Sequence, residues 1–335
     1  MRKKILITGG AGYIGSSVSY LLLDKGFDVT IIDNLETGSK LLIPKKAKLE
    51  VCDIADKKKI SNILKKNKFE GVLHFAGLIR VEESMQNPKK YYEYNYRKAK
   101  IFFDTCIKNG IKNFIFSSTA AVYGNPSSNK VSELQKLNPI NPYAISKMKV
   151  ENYLINLKIK KKIKFVILRY FNVAGADMKL RTGQISKNPT HLIKVICDVA
   201  TNKRKKIIIY GNDYSTKDGT PERDFIHISD LSEIHFISLI HLLKNGLSQI
   251  FNCGYGNGYS VKKVINITSR VIKKKIPYKF GPRRIGDSKR VVADATKFKN
   301  FFRWKPKFNK LETIIKSSLR WEKKLDKLLK LKKNN

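Results

Sequence analysis

The chain has 335 residues, of which 42% are hydrophobic, enough for one large or two modest domains with a real core. No apolar run reaches the ~18 residues of a membrane span. The start, MRKKILIT, lacks the apolar core and cleavage site of a signal peptide. Cys52, Cys106, Cys197 and Cys253 are scattered without paired spacing, and the five His show no ligand spacing. These features predict a cytoplasmic protein without a disulfide framework or a metal site. The formal net charge is +41, from 68 Lys and Arg against 27 Asp and Glu. Such a balance first suggests nucleic acid. The basic residues, however, are mostly Lys spread along the whole chain, with no tract, arm or binding motif. A generally basic protein that draws anionic ligands is the better reading, and no nucleic-acid partner is expected.

Residues 3–8 read as a short apolar strand. TGGAGYIG follows at 8–15, and then a helical pattern through Leu23. Strand, Gly-rich turn and helix is the context in which a Gly repeat binds a dinucleotide. Gly9, Gly12 and Gly15 allow a tight turn and a close approach to a pyrophosphate, which the helix's positive end also attracts. The spacing is one residue wider at its start than the commonest form. Residues 27–32 form a second strand that ends at Asp33, an acid placed to bind a ribose 2′-hydroxyl and to repel a 2′-phosphate, so NAD is favoured over NADP.

Residues 48–52 make a third strand, ending at Asp53 and Ile54, where an acid suits the adenine amino group. Residues 69–75 make a fourth that runs into Ala76 and Gly77, small enough for a cofactor to lie close. His74, inside that strand, reads as a core residue. A helix is expected over 88–109, including Asn95, and a fifth strand over 112–117, capped by Ser118 and Thr119. Then comes YAISK at 143–147, helical from Pro142 onward. Tyr143 and Lys147 are one turn apart and share a face. A phenol beside an ammonium is expected to have its pKa lowered and to exchange a proton with a sugar hydroxyl. Thr119 at the strand edge suits a bridge between substrate and phenol.

A sixth strand is expected over 163–169. From 173 to 222 the rhythm breaks into irregular chain with one helical stretch near 190–202. Residues 223–256 are expected to rejoin the first domain. Residues 258–335 read as helix, strand, the RRIGD stretch at 283–287 and two helical stretches, with a fraying Lys-rich end at 327–335. The fold class is α/β: a Rossmann-like doubly wound parallel sheet over 1–171, with a smaller C-terminal α/β substrate-binding domain over 172–335.

TGGAGYIG, DNL at 33–35, FAGL at 75–78, SSTAAVYG at 117–124, NPYAISK at 141–147, RYFNVAGA at 169–176, YGNDYSTKDGT at 210–220, RDFIH at 223–227 and PRRIGD at 282–287 occur together. In that combination the chain resembles the UDP-hexose 4-epimerases of the extended short-chain dehydrogenase/reductase family, from about residue 4 to about residue 323. The resemblance implies a tightly held, recycled NAD and no metal. It implies Tyr143 as the proton acceptor for the sugar 4-hydroxyl, Thr119 as its relay, and Lys147 on the nicotinamide ribose. Cofactor contacts are implied at Gly9, Gly12, Tyr13, Ile14, Gly15, Asp33, Asn34, Leu35, Asp53, Ile54, Phe75, Ala76, Gly77, Leu78, Asn95, Lys147 and Phe171. UDP-sugar contacts are implied at Thr119, Tyr143, Asn172, His191, Leu192, Ile208, Tyr210, Arg223, Arg284, Asp287 and Val291. Arg223 and Arg284 each suit a diphosphate as forked donors. A homodimer through the helices at about 90–109 and 142–159 is also implied.

The chain departs from the family at three places. Tyr94-Asn95 stands where an Asn pair is common, and Ile79-Arg80 where some members place Lys. Val291 occupies the size-selecting position, where a small residue leaves room for an N-acetyl group. Two sister activities are disfavoured. A 4,6-dehydratase needs an Asp-Glu pair where this chain has Ala120-Ala121, and the decarboxylases use a Glu nearby. A non-catalytic dinucleotide-binding regulator would be expected to lack the Tyr-Lys pair.

Overall fold

KILIT and DVTIID are short apolar runs rich in β-branched residues, and both become buried strands. The structure, a computed structural model, describes residues 2–186, 189–284 and 286–333. Ile285 of the RRIGD stretch and the last two residues of the expected fraying end lie outside the described residues. In chain order the first elements are β1 (Lys4–Thr8), α1 (Tyr13–Asp24), β2 (Asp28–Asp33), β3 (Lys48–Val51), α2 (Lys57–Lys66) and β4 (Phe69–His74). Next come α3 (Val81–Gln86), α4 (Pro88–Tyr91), a π-helical turn over Tyr92–Arg97, α5 (Lys98–Lys108) and β5 (Asn113–Thr119). They are followed by α6 (Pro142–Lys161), β6 (Lys164–Tyr170), β7 (Asn172–Ala174), α7 (Leu192–Ala200), β8 (Ile207–Tyr210) and β9 (Glu222–His227). The chain closes with α8 (Ile228–Leu243), β10 (Gln249–Cys253), β11 (Gly258–Ser260), α9 (Val261–Ile272), β12 (Tyr278–Gly281), β13 (Arg290–Val291), α10 (Thr296–Phe302) and α11 (Leu311–Lys333).

The chain divides into two compact units. One comprises Met1–Gly124, Glu133–Tyr170 and Ser232–Asn252, and the other Asn125–Ser132, Phe171–Leu231 and Cys253–Asn335. The first unit carries a seven-stranded sheet in the order β10-β6-β5-β4-β1-β2-β3. Neighbours from β3 to β6 in that order pair in parallel. The chain winds outward from β1 to β3, then returns to β4 on the other side of β1. That reversal opens a crevice at the C-terminal ends of β1 and β4, where such sheets bind ligands. Helices α2, α5 and α6 bring Ile60, Phe102, Phe103, Val150 and Leu154 onto Leu6, Phe114 and Ile167 of the strands. His74 is buried there, with Nδ1 2.8 Å from Thr8 Oγ1 and its ring against Phe102 and Phe116, as a core histidine should be.

The second unit is built around β9, which pairs with β7 and β13 in parallel and with β11 antiparallel. A separate two-stranded parallel ladder joins β8 to β12. Helices α7, α9 and α11 pack on one another.

Four expectations need correction. The helix over 88–109 is interrupted by the π turn, and β5 runs two residues beyond the expected end to include Thr119. The stretch 173–222 is not irregular throughout: β7 reaches into it and β8 lies within it. The returning segment is Ser232–Asn252, because residues 223–227 form the central strand of the second unit's own sheet. Helix α11 is anchored by the buried Leu319, Trp321 and Leu325, ahead of the Lys-rich stretch that begins at 327.

Candidate active site

The glycine turn after β1 is built for close approach. Gly9 has φ +70°, and a Cβ there would lie 2.6 Å from the backbone nitrogen of Ala76. A Cβ on Gly15 would lie 2.3 Å from the Gly9 carbonyl oxygen. Gly12 stands at the N-terminus of α1, where no side-chain hydrogen bond caps the helix, an end whose partial positive charge suits an anion. Tyr13 and Ile14 form the first turn of α1 and are partly buried.

Asp33 ends β2 and is 8% exposed. It accepts from the backbone N–H groups of Ala11 at 3.0 Å and Leu35 at 2.8 Å. Burial raises its pKa, and those two donors oppose the rise. Asn34 is exposed and turns back on Glu36, while Leu35 takes a left-handed φ of 62°. Asp53 accepts from Ala55 N–H at 2.8 Å and pairs with Lys98 Nζ at 2.5 Å, an ammonium that lies 4.0 Å from the Tyr94 ring centroid. Ile54 belongs to the apolar core.

Asn95 sits in the π turn and is 2% exposed. Its Oδ1 accepts from Leu78 N–H at 2.7 Å, and its Nδ2 donates to the Leu78 carbonyl at 2.9 Å and to Ser146 Oγ at 3.2 Å. Asn95, an expected cofactor contact, thereby fastens the 75–78 turn to α6. Phe75 and Ala76 are joined to β1 through Thr8, and a Cβ on Gly77 would lie 2.9 Å from Asn95 Oδ1.

Helix α6 starts cleanly because Asn141 accepts from Ala144 N–H at 2.9 Å and Pro142 takes the first position. It carries Tyr143 and Lys147 one turn apart, as the spacing predicts. Thr119 at the end of β5 hydrogen-bonds the Tyr143 hydroxyl, and its own Oγ1 accepts from Ala121 N–H at 3.2 Å. Lys147 is 4% exposed and donates to the Ser117 carbonyl at 3.0 Å, with the Phe116 ring centroid 5.0 Å away. Thr119, Tyr143 and Lys147 are thus brought together. The expected lowering of the Tyr143 pKa is overturned in the protein alone. Burial raises it, and the opposing influence is the Thr119 hydroxyl, not the ammonium. Burial also pulls Lys147 down, to about 8, and the carboxylate of Glu151 resists.

In the second unit, Arg223 on β9 forms an ion pair with Asp287 and donates to the Glu222 carbonyl at 2.9 Å. Val291 on β13 is its register partner. Arg284 lies with its guanidinium carbon 3.7 Å from the Tyr210 ring centroid, and its carbonyl accepts from Asp287 N–H at 3.3 Å. Tyr210, Arg223, Arg284, Asp287 and Val291 therefore form one contiguous group. Ile208 precedes Tyr210 on β8, and Asn172 pairs in register with Phe225, two residues beyond Arg223. His191 and Leu192 stand at the start of α7, where burial lowers the His191 pKa. Phe171 is buried and bonded to the Cys253 carbonyl at 3.1 Å, within the second unit.

Sequence reasoning missed Glu151, Arg169 and Tyr123. Glu151 follows Lys147 by the same four-residue step that joins Lys147 to Tyr143, so the spacing contained the signal.

Comparisons with known proteins give the family and the fold relatives of the chain. Residues 5–254 match the NAD dependent epimerase/dehydratase family. A UDP-glucose 4-epimerase of Azospirillum brasilense is 42% identical over 323 residues, 96% of this chain and 93% of that protein. The crystal structure of a UDP-glucose 4-epimerase from Bifidobacterium longum, in complex with NAD+ and UDP, is 34% identical with a TM-score of 0.92, covering 96% of this chain and 98% of that one. The UDP-Glc/GlcNAc 4-epimerase of Campylobacter jejuni is 44% identical with a TM-score of 0.83, covering 96% and 99%.

Proposed function

Because the chain belongs to the NAD dependent epimerase/dehydratase family, we propose that it is a UDP-hexose 4-epimerase interconverting UDP-galactose and UDP-glucose through a 4-keto sugar. The observation that carries this reading is the Thr119, Tyr143, Lys147 group at the end of β5 and the start of α6. The 3₁₀ turn that follows begins with Ala120 and Ala121, which offer no carboxylate for elimination.

The glycine cradle and Asp33 fit NAD. Gly9, Gly12 and Gly15 would admit its pyrophosphate, Asp33 its adenosine ribose, Asp53 its adenine, and Lys147 its nicotinamide ribose. NAD supplies a hydride acceptor and donor for C4 and, when oxidised, a positive charge that favours the Tyr143 phenolate. Tyr143 takes the 4-hydroxyl proton and later returns it, while the Thr119 hydroxyl orients the phenolic oxygen. Arg223 and Arg284 hold the diphosphate, with Asn172, His191, Leu192, Ile208, Tyr210 and Asp287 around the nucleotide sugar. Asp287 already pairs with Arg223, which orients the guanidinium before an anion arrives.

A second reading extends the first. Val291, small and register-paired with Arg223, is proposed to admit an N-acetyl group at C2. Incubation with UDP-galactose and with UDP-N-acetylgalactosamine, separately, followed by identification of the products, tests both readings. Conversion of each sugar to its 4-epimer is expected. Turnover of the first alone would end the Val291 reading, and turnover of neither would end both. The protein is further proposed to act in the cytoplasm as a homodimer through the 90–109 and 142–159 helices, without a nucleic-acid partner. Among the described residues no helix is long and apolar enough to cross a membrane.

A further inference from the structure

Helix α6 buries two opposite charges on the face turned to the sheet, Lys147 and Glu151. A buried carboxylate is costly unless it is paired and hydrogen-bonded, and Glu151, with no exposed surface, is both. Arg169 of β6 grips it with Nε 3.1 and 3.2 Å from its two oxygens and Nη2 2.6 Å from Oε2. The Ser118 hydroxyl also donates to it. Arg169 Nη1 reaches Tyr123 at 2.9 Å, whose hydroxyl donates to Asn252 Oδ1 at 2.7 Å.

Three neighbouring residues of β5 therefore fasten three turns of α6. Thr119 bonds Tyr143, the Ser117 carbonyl takes Lys147, and the Ser118 hydroxyl takes Glu151. The last rung is locked by the Arg169 fork. We propose that Glu151 and Arg169 form a positioning pair for the reaction: they set the register of α6 on β5 and keep Lys147 in its ammonium form beside Tyr143. This rests on the epimerase reading only for the chemistry that Lys147 serves.

The groups facing Lys147 support it. Ser117, Phe116 and Gly77 contribute no charge, and His74 is neutral, since burial and the Lys147 charge drive its pKa to about 3. Glu151 is the nearby carboxylate, and it opposes the downward pull of burial on the ammonium. Removing its charge exposes Lys147 to the uncompensated Arg169 guanidinium, so the ammonium gives up its proton at lower pH.

The test compares the wild-type holoprotein with Glu151→Gln, which keeps the size and one acceptor. The double variant Glu151→Gln, Arg169→Met leaves no unpaired buried cation if the single change impairs folding. The readouts are the Lys147 amine titration, followed by NMR of ε-labelled lysine with the signal assigned through Lys147→Met, and the pH profile of UDP-galactose turnover. The expected result is a Lys147 midpoint lower by about one pH unit or more in Glu151→Gln, and lowered by a smaller amount in the double variant, where the Arg169 charge is gone as well. The alkaline limb of kcat should move with it, and KM should stay within about twofold. An unmoved midpoint in the variant that folds overturns the proposal, whatever the activity. A shifted midpoint in a protein that turns over no UDP-sugar would support the pair and refute the epimerase reading.

Discussion

Burial pulls both members of the Tyr143-Lys147 pair toward their neutral forms, so the site favours proton exchange only while positive charge is kept near the phenol. Tyr143→Phe removes the acceptor and nothing else of that size. Turnover should fall by about 10²–10⁴-fold with UDP binding little changed, as measured by steady-state kinetics beside calorimetric titration with UDP. A second residue, a buried histidine within reach of the Lys147 charge, sets acid stability. His74 is fully buried with its pKa lowered to about 3. In the unfolded chain it takes a proton near pH ~6.5, so the unfolded state binds more protons between those values. Stability is complete above the upper value and falls as pH drops through the window. Comparison of urea midpoints at pH 7 and pH 5 should show a loss of about 2 kcal/mol from this residue. The loss should be absent in His74→Asn, a variant that keeps a hydrogen-bonding partner for Thr8.

At the scale of elements, the site depends on how α6 and the 75–78 turn are fastened to the sheet. The π turn over 92–97 places Asn95 where its amide satisfies both the N–H and the carbonyl of Leu78. Such turns concentrate at functional sites because they redirect one side chain inward. Asn95→Ala would leave two buried backbone groups unpaired, at about 1–3 kcal/mol for each such group. A lower urea midpoint and faster loss of NAD on dilution are expected; an unchanged midpoint would show that water replaces the amide. This turn was not legible in the sequence, since a π step leaves the apolar pattern over 88–109 looking like plain helix. Five of the first six strands were legible because each is an apolar run bounded by a turn, and a buried parallel sheet needs such runs, whereas β3, KLEV, is the half-exposed edge strand. β8 was hidden for the opposite reason. IIIY is short and follows a run of basic residues, and its partner β12 lies some seventy residues further on. Lys147 is legible from its spacing to Tyr143, and Glu151 lies one further turn along the same helix. Spacing gives the wrong direction for the Tyr143 shift because it reports proximity and says nothing of burial.

At the scale of the whole molecule, the net charge of +41 is the largest fact that the proposed chemistry leaves unused. Ion pairs absorb some of it: Lys194 and Lys203 meet Glu322, and Arg181 meets Asp177. With 68 cationic side chains against 27 acids, most have no acid to meet. Like charges confined to a folded chain repel more than in an expanded one, so the excess works against folding. Screening weakens that repulsion as the Debye length shrinks from ~30 Å at 0.01 M to ~10 Å at 0.1 M salt. The melting temperature should therefore rise with potassium chloride over that range, the reverse of a protein held mainly by exposed ion pairs. Over the same range kcat/KM for the anionic UDP-sugar should fall, because salt also screens the attraction that steers it inward. Measuring both quantities on the same salt series separates the two effects of one charge excess. A melting temperature that falls with salt would mean that pairs such as Lys203-Glu322 outweigh the excess.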